Sequence, residues 1–204
     1  MTPPTWPFDA GLPAALEALA AGRLILFPTE TVYGVGARCD RPAAVAALRA
    51  AKGRAEDKPL QVLVPCAAAA AGLARFNRLA AALAARFWPG PLTLVLPAES
   101  AAPAELVTAA GTIGLRCPQH AGLARLLAGS GPLAASSANL AGQPPATTCA
   151  AATAALGSAV ALALDGGPAS LGQASTVVAI EGDGWRMLRP GALTAAQLAE
   201  AVDG

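Results

Sequence analysis

Leu24-Ile25-Leu26-Phe27-Pro28-Thr29-Glu30-Thr31-Val32-Tyr33-Gly34-Val35-Gly36 opens on an apolar run and passes directly into hydroxyls and glycines. Leu24 to Phe27 reads as a short buried strand. Pro28 to Gly36 reads as a loop after that strand. Threonine and glycine in such a place can simply build a turn. Here, however, two glycines stand beside hydroxyls, so a substrate could reach backbone amides. Lys52, Arg54 and Lys58 come soon after. They sit at or just past a helix end, where cations also complement the helix dipole. Close-approach backbone with cations beside it points to a nucleotide site. No GxxxxGK[ST] and no GxGxxG after a strand is present, so neither a P-loop nor a Rossmann dinucleotide site is supported.

Outward from this stretch, strand-like and helix-like patterns alternate. Helices are predicted at 9–22, 42–52, 77–87, 120–128, 147–156 and 194–202. Pro42 stands in the first turn of one, Asn77 caps another, and Trp88-Pro89-Gly90-Pro91 ends that one. Strands are predicted at 24–27, 60–64, 92–96, 112–116, 132–135 and 161–164. Segments 175–180 and 185–188 form a hairpin over Glu181-Gly182-Asp183-Gly184. The alternation implies an α/β fold: a twisted, mixed parallel and antiparallel open sheet flanked by helices. No linker divides the chain, so residues 1–204 are expected to form a single domain. The segment 166–174 is a candidate flap.

The chain has 204 residues, with 54% hydrophobic and 13% charged, and a formal net charge of +1. That balance argues against a protein that coats nucleic acid by bulk positive charge, while a local basic groove for RNA stays open. Cys39, Cys66, Cys117 and Cys149 lie too far apart for a CxxC pair or zinc knuckle and read as free thiols. The start carries no basic and apolar signal pattern, and no apolar stretch reaches the length of a membrane span. A cytoplasmic protein with no membrane partner is expected.

Three further groups carry chemistry. Ser136-Ser137-Ala138-Asn139 ends a predicted strand, where side chains reach the crevice used by α/β sheets, although serine and asparagine also cap helices. Arg116 ends the apolar strand that begins at Thr112, and a cation there calls for an anionic partner. Ser175 and Arg189, the latter beside Pro190-Gly191, can close over a ligand. His120 is the single histidine and stands before a helix, which suits a cap better than a base; a Ser-His-Asp triad is not supported.

Taken together, PTETVYGVG, KGR followed by KPL, WPGPLT, TIGLRCPQH, SSAN with Gly142, STVV and RPG resemble the YrdC-like family, specifically its threonylcarbamoyl-AMP synthases. The resemblance runs from about residue 18 to residue 192 and covers nearly the whole chain. The family's KxR and SxN pairs fall on Lys52 with Arg54 and on Ser137 with Asn139. By this resemblance Arg54, Lys58, Thr112, Ser137, Asn139, Ser175 and Arg189 surround ATP. Thr31 and Arg116 hold L-threonine, with Ser136 between the two groups, and Lys52 and Arg54 are the catalytic cations. Some longer members carry a histidine where this chain has Leu63. The chain ends soon after RPG, as in the short single-domain form.

The resemblance implies a reaction of L-threonine, bicarbonate and ATP, assisted by Mg2+, giving threonylcarbamoyl-AMP and pyrophosphate. The partner it implies is an enzyme complex that transfers the threonylcarbamoyl group to tRNA. Such a reaction needs charge neutralisation and alignment more than a strong base. The alternatives are an RNA-binding module without catalysis, a relative that activates carbamoyl phosphate, and a paralogue with another substrate.

Overall fold

The structure, a computed structural model, describes residues 2–53 and 59–203. The elements are, in chain order, β1 (Thr5–Pro7), α1 (Phe8–Ala20), β2 (Ile25–Phe27), β3 (Gly34–Arg38), α2 (Pro42–Ala51), β4 (Gln61–Leu63), α3 (Ala67–Ala71) and α4 (Arg78–Phe87). Next come β5 (Leu92–Pro97), β6 (Thr112–Arg116), α5 (Ala121–Ser130), β7 (Leu133–Ser137), α6 (Cys149–Leu156), β8 (Leu162–Asp165), β9 (Thr176–Glu181), β10 (Gly184–Arg189) and α7 (Ala195–Asp203). One sheet runs β1-β8-β2-β3-β7-β4-β6-β5-β9-β10. It is mixed: β2 pairs parallel with β8 and antiparallel with β3, and β4 pairs parallel with β6 and antiparallel with β7.

The pleat explains where the site lies. Alternate residues of a strand face opposite sides. On one side Leu26, Val35, Val62, Leu94, Leu115 and Val178 join a core closed by Val45 and Leu48 of α2, Leu79 and Leu83 of α4, Leu156 of α6 and Leu198 of α7. On the other side Ile25, Phe27, Leu63, Leu133 and Leu164 pack with Leu19 of α1 and Leu123 and Leu126 of α5. That second core covers β8, β2 and β7 and stops at β4. Beyond it the same side presents Gln61, Gly114, Thr93 and Val177, which line a cavity instead of packing under a helix. The ligand face is the half of the sheet that α1 and α5 do not cover.

The predicted helices and strands recur with ends shifted by a few residues. Asn77 caps α4 as expected, its Oδ1 accepting the Ala80 amide at 2.8 Å. Three elements escape the sequence reading: β1, which adds parallel to β8, the alanine run of α3, and β3. β3 reads as a loop because glycine is a poor strand former. The structure supplies the reason for its glycines: a Cβ on Gly34 or Gly36 would meet the Phe27 ring at 2.7 or 2.8 Å. The glycines seat that ring against the strand, so their first task is packing rather than opening amides to a substrate. Gly36→Ala is therefore expected to destabilise by about 1–3 kcal/mol through overpacking, measured by denaturant unfolding.

The candidate flap makes backbone hydrogen bonds to neighbouring segments. The amides of Ala169 and Leu171 donate to the carbonyls of Thr147 and Glu30, each at 2.8 Å. No helix among the described residues is long and apolar enough to cross a membrane.

Candidate active site

The loop after β2 is organised by its own hydroxyls. Thr29 Oγ1 accepts the amides of Thr31 and Val32, each at 3.1 Å, and donates to Val32 O at 2.7 Å. It also lies 2.7 Å from Thr31 Oγ1. This turn buries Thr29 and fixes the hydroxyl of Thr31, which lines a small cavity. The Tyr33 hydroxyl donates to Gly167 O at 2.8 Å and lies 3.1 Å from Asp165 Oδ1, fastening the loop to the segment after β8. Burial raises the Tyr33 phenol well above its ordinary range, so it stays protonated and available as this donor.

Arg116, at the end of β6, enters the same cavity from behind the loop. Its side chain is 2% exposed, and Nη2 lies 2.8 Å from Oε1 of Glu30, which is 7% exposed. Apart from this ion pair, neither carboxylate oxygen of Glu30 has a hydrogen-bond partner among the described residues. Nε of Arg116 donates to Gly90 O at 3.1 Å, which gives the Trp88-Pro89-Gly90-Pro91 break a role in aiming the guanidinium. Burial lowers the Arg116 pKa, and the Glu30 charge opposes that shift.

Two cavities meet on this face. The smaller, of about 30 Å³, is lined by Thr31, Arg116 and Ser136 among polar groups, with Phe27, Leu63 and Ala135 as apolar wall. The larger, of about 310 Å³, is lined by Thr112, Thr93 and Thr108 and by the apolar Leu60, Val95, Val177 and Leu188. Gln61, Ala135, Ser136, Ser137 and Arg189 line both. The larger volume lies at the lower end of the range for small-molecule sites. A polar chain crosses the strands beneath: Thr93 Oγ1 donates to Gln61 Oε1 at 3.1 Å and lies 2.9 Å from Ser175 Oγ. Arg189 Nη2 donates to Ser175 O at 2.8 Å and to Ser175 Oγ at 3.1 Å. Arg189 thereby stands over the junction as a placed cation.

Of the sequence-predicted residues, Thr31, Thr112, Arg116, Ser136, Ser137, Ser175 and Arg189 converge on these cavities. Arg54 and Lys58 lie outside the described residues. Lys52 and Asn139 line neither cavity. Lys52 is 2% exposed. Its ammonium donates to Ser137 O at 2.5 Å, to Asn139 Oδ1 at 3.1 Å and to Asn139 O. Asn139 Oδ1 also accepts from Ser137 Oγ at 2.5 Å, and its Nδ2 donates to Gln143 O at 2.6 Å. Lys52, expected as a catalytic cation, is held by these contacts against the Ser136–Asn139 turn. Gln61 and Thr93 were missed by the sequence reading. Their signal is a polar residue inside an otherwise apolar strand, in Gln61-Val62-Leu63 and in Leu92-Thr93-Leu94.

His120 caps α5, its Nδ1 accepting the Leu123 amide at 3.1 Å, in agreement with the sequence reading. Burial pushes its imidazole below the ordinary range, against the opposing pull of the Glu30 charge. The unfolded chain therefore takes up this proton first as pH falls. The result is a loss of stability as pH drops through the unfolded imidazole value of about 6.5. The melting temperature is expected to fall on acidification from about pH 7.5 to about pH 5.5, and His120→Asn, which keeps a cap, to flatten that dependence.

Residues 17–191 match the sequence model of the Sua5/YciO/YrdC family, described as "Telomere recombination". A Mycobacterium tuberculosis protein named "Putative threonylcarbamoyl-AMP synthase" is 41% identical over 193 residues, covering 94% of this chain and 89% of its own. The Bacillus subtilis threonylcarbamoyl-AMP synthase is 39% identical over 205 residues, covering 96% of this chain. Sua5 of P. abyssi, solved in complex with L-threonine, superposes with a TM-score of 0.90 at 34% identity and 95% coverage of this chain. The chain spans 57% of the length of each of these last two proteins. With its matched span, its relatives and its fold in agreement, the chain belongs to the Sua5/YciO/YrdC family.

Proposed function

We propose that the protein is an L-threonylcarbamoyl-AMP synthase, a nucleotidyltransferase that joins L-threonine, bicarbonate and ATP and releases pyrophosphate. The observation that carries this reading is the pair of neighbouring cavities that share Gln61, Ala135, Ser136, Ser137 and Arg189. The larger has an apolar wall suited to a purine and hydroxyls suited to a sugar and phosphates. The smaller holds a buried cation, Arg116, beside a fixed hydroxyl, Thr31, as an amino-acid carboxylate and a side-chain hydroxyl require. The Sua5 relative was solved with L-threonine, which supports the same assignment.

The threonine amine and bicarbonate give a carbamate with loss of water. A carbamate oxygen then attacks the α-phosphorus, and the bond to the β-phosphate oxygen breaks. The protein's work is alignment of two anions and compensation of charge on the leaving pyrophosphate. Arg189, fixed by Ser175, lies where the cavities join and is assigned to the phosphates. Ser136 and Ser137 line the junction and direct hydrogen bonds to both substrates. Arg54 and Lys58 are assigned to the phosphates from the sequence pattern. ATP enters as its Mg2+ complex, the ion being carried by phosphate oxygens. The product passes to a tRNA threonylcarbamoyl-transfer enzyme complex in the cytoplasm.

The test is pyrophosphate release from ATP in bicarbonate buffer, with and without L-threonine. Release that depends on threonine is expected. Folded protein that binds ATP and releases none with threonine overturns the proposal.

A further inference from the structure

The smaller cavity has beside it a charge that the reaction above does not use. Resting on the reading that this cavity takes an amino acid, we infer that Glu30 determines its specificity: it cancels the charge of Arg116, so that the site beside this pair favours a zwitterion over a simple anion.

Glu30 stands behind Arg116 rather than in front of it. Arg116 lines the cavity and Glu30 does not. Both Glu30 carboxylate oxygens are shut off from solvent and have no hydrogen-bond partner among the described residues, while Nη2 of Arg116 lies 2.8 Å from Oε1. A buried carboxylate held by one ion pair with no further hydrogen bond is an expensive arrangement. An apolar residue of similar size would leave Arg116 free to take a ligand carboxylate as its sole counter-ion. The carboxylate instead cancels the guanidinium before any ligand arrives.

The charges of the reactants make this cancellation selective. Bicarbonate, ATP and pyrophosphate are net anions, and a lone buried guanidinium would attract all of them. Threonine alone is net neutral. Against a neutral Arg116–Glu30 pair, a bare anion gains the attraction of Arg116 and suffers the repulsion of Glu30. A zwitterion adds an ammonium that the Glu30 field favours. The same pair that weakens carboxylate binding in general therefore favours the one reactant with a cation beside its carboxylate.

The experiment is calorimetric titration of the full chain with L-threonine and with 2,3-dihydroxybutyrate, its analogue bearing a hydroxyl in place of the ammonium. ATP binding serves as the control for folding. The wild type is expected to prefer threonine. Glu30→Gln is expected to reduce that preference about tenfold or more, by weakening threonine and strengthening the monoanion. A merely structural Glu30 would weaken both ligands together, and an unchanged ratio overturns the inference. If Glu30→Gln does not fold, Glu30→Asp decides, because withdrawing the carboxylate by one methylene is expected to lower the preference about threefold, and an unchanged ratio again overturns it. Wild-type protein that binds ATP but neither small ligand overturns the functional reading itself; a threonine preference that survives the substitutions overturns this inference alone.

Discussion

Arg116→Ala is expected to lower kcat/KM for L-threonine by about hundredfold or more while leaving ATP binding in place. Two effects add. The substitution removes the one buried cation found in the smaller cavity among the described residues. It also strands Glu30, whose carboxylate oxygens have no hydrogen-bond partner to fall back on among the described residues. Breaking a buried pair by removing one partner costs several kcal/mol because the other charge is left uncompensated. Stability and activity should therefore fall together. The double variant Glu30→Gln/Arg116→Gln separates them: with both charges gone, thermal stability should recover toward the wild type, while threonine use should not. Steady-state kinetics with varied threonine, and thermal melts of the same preparations, make the comparison. Recovery of activity in the double variant would contradict the assignment of Arg116 to the substrate carboxylate.

The second large effect is expected at Lys52. Its ammonium holds the backbone of Ser137 and Asn139 and the Asn139 amide oxygen from a position that is 2% exposed. Lys52→Met removes the donor from these part-buried oxygens. The turn carrying Ser136 and Ser137 should lose its set position, and turnover should fall about tenfold or more, with weaker ATP binding. Lys52→Arg distinguishes this bracing from a direct role at the phosphates. A guanidinium would keep the charge for a phosphate, but its planar fork does not fit a cage built for a compact ammonium. Bracing predicts that arginine rescues neither ATP affinity nor turnover. Substantial rescue would restore the direct catalytic role expected from the sequence.

The same two residues measure how far the sequence could be read. Hydroxyls and cations at strand ends singled out Arg116, Ser137, Ser175 and Arg189 as candidates, the family resemblance added Thr31 and Thr112, and the structure places all six along the two cavities. The alternation of patterns likewise announced a mixed sheet with flanking helices. What stayed hidden depends on contacts far apart in the chain. Lys52 and Asn139 are separated by 87 positions, and no local pattern tells a brace from a phosphate cation. Gly34 and Gly36 resembled a ligand loop because the Phe27 ring that requires them belongs to another strand. Glu30 looked like one member of a turn, and only the arrival of β6 beside it reveals its pairing with Arg116. Leu63, where some longer family members carry a histidine, proves to be part of the apolar wall of the smaller cavity.

Whether this fold makes threonylcarbamoyl-AMP is decided by the mass of the nucleotide product formed from ATP, L-threonine and isotope-labelled bicarbonate. The expected product is an adenylate heavier than AMP by one threonylcarbamoyl group, with the bicarbonate label in it and one pyrophosphate released for each. An adenylate without the label, or ATP consumed with only free AMP or ADP formed under conditions that preserve the adenylate, would contradict the assignment.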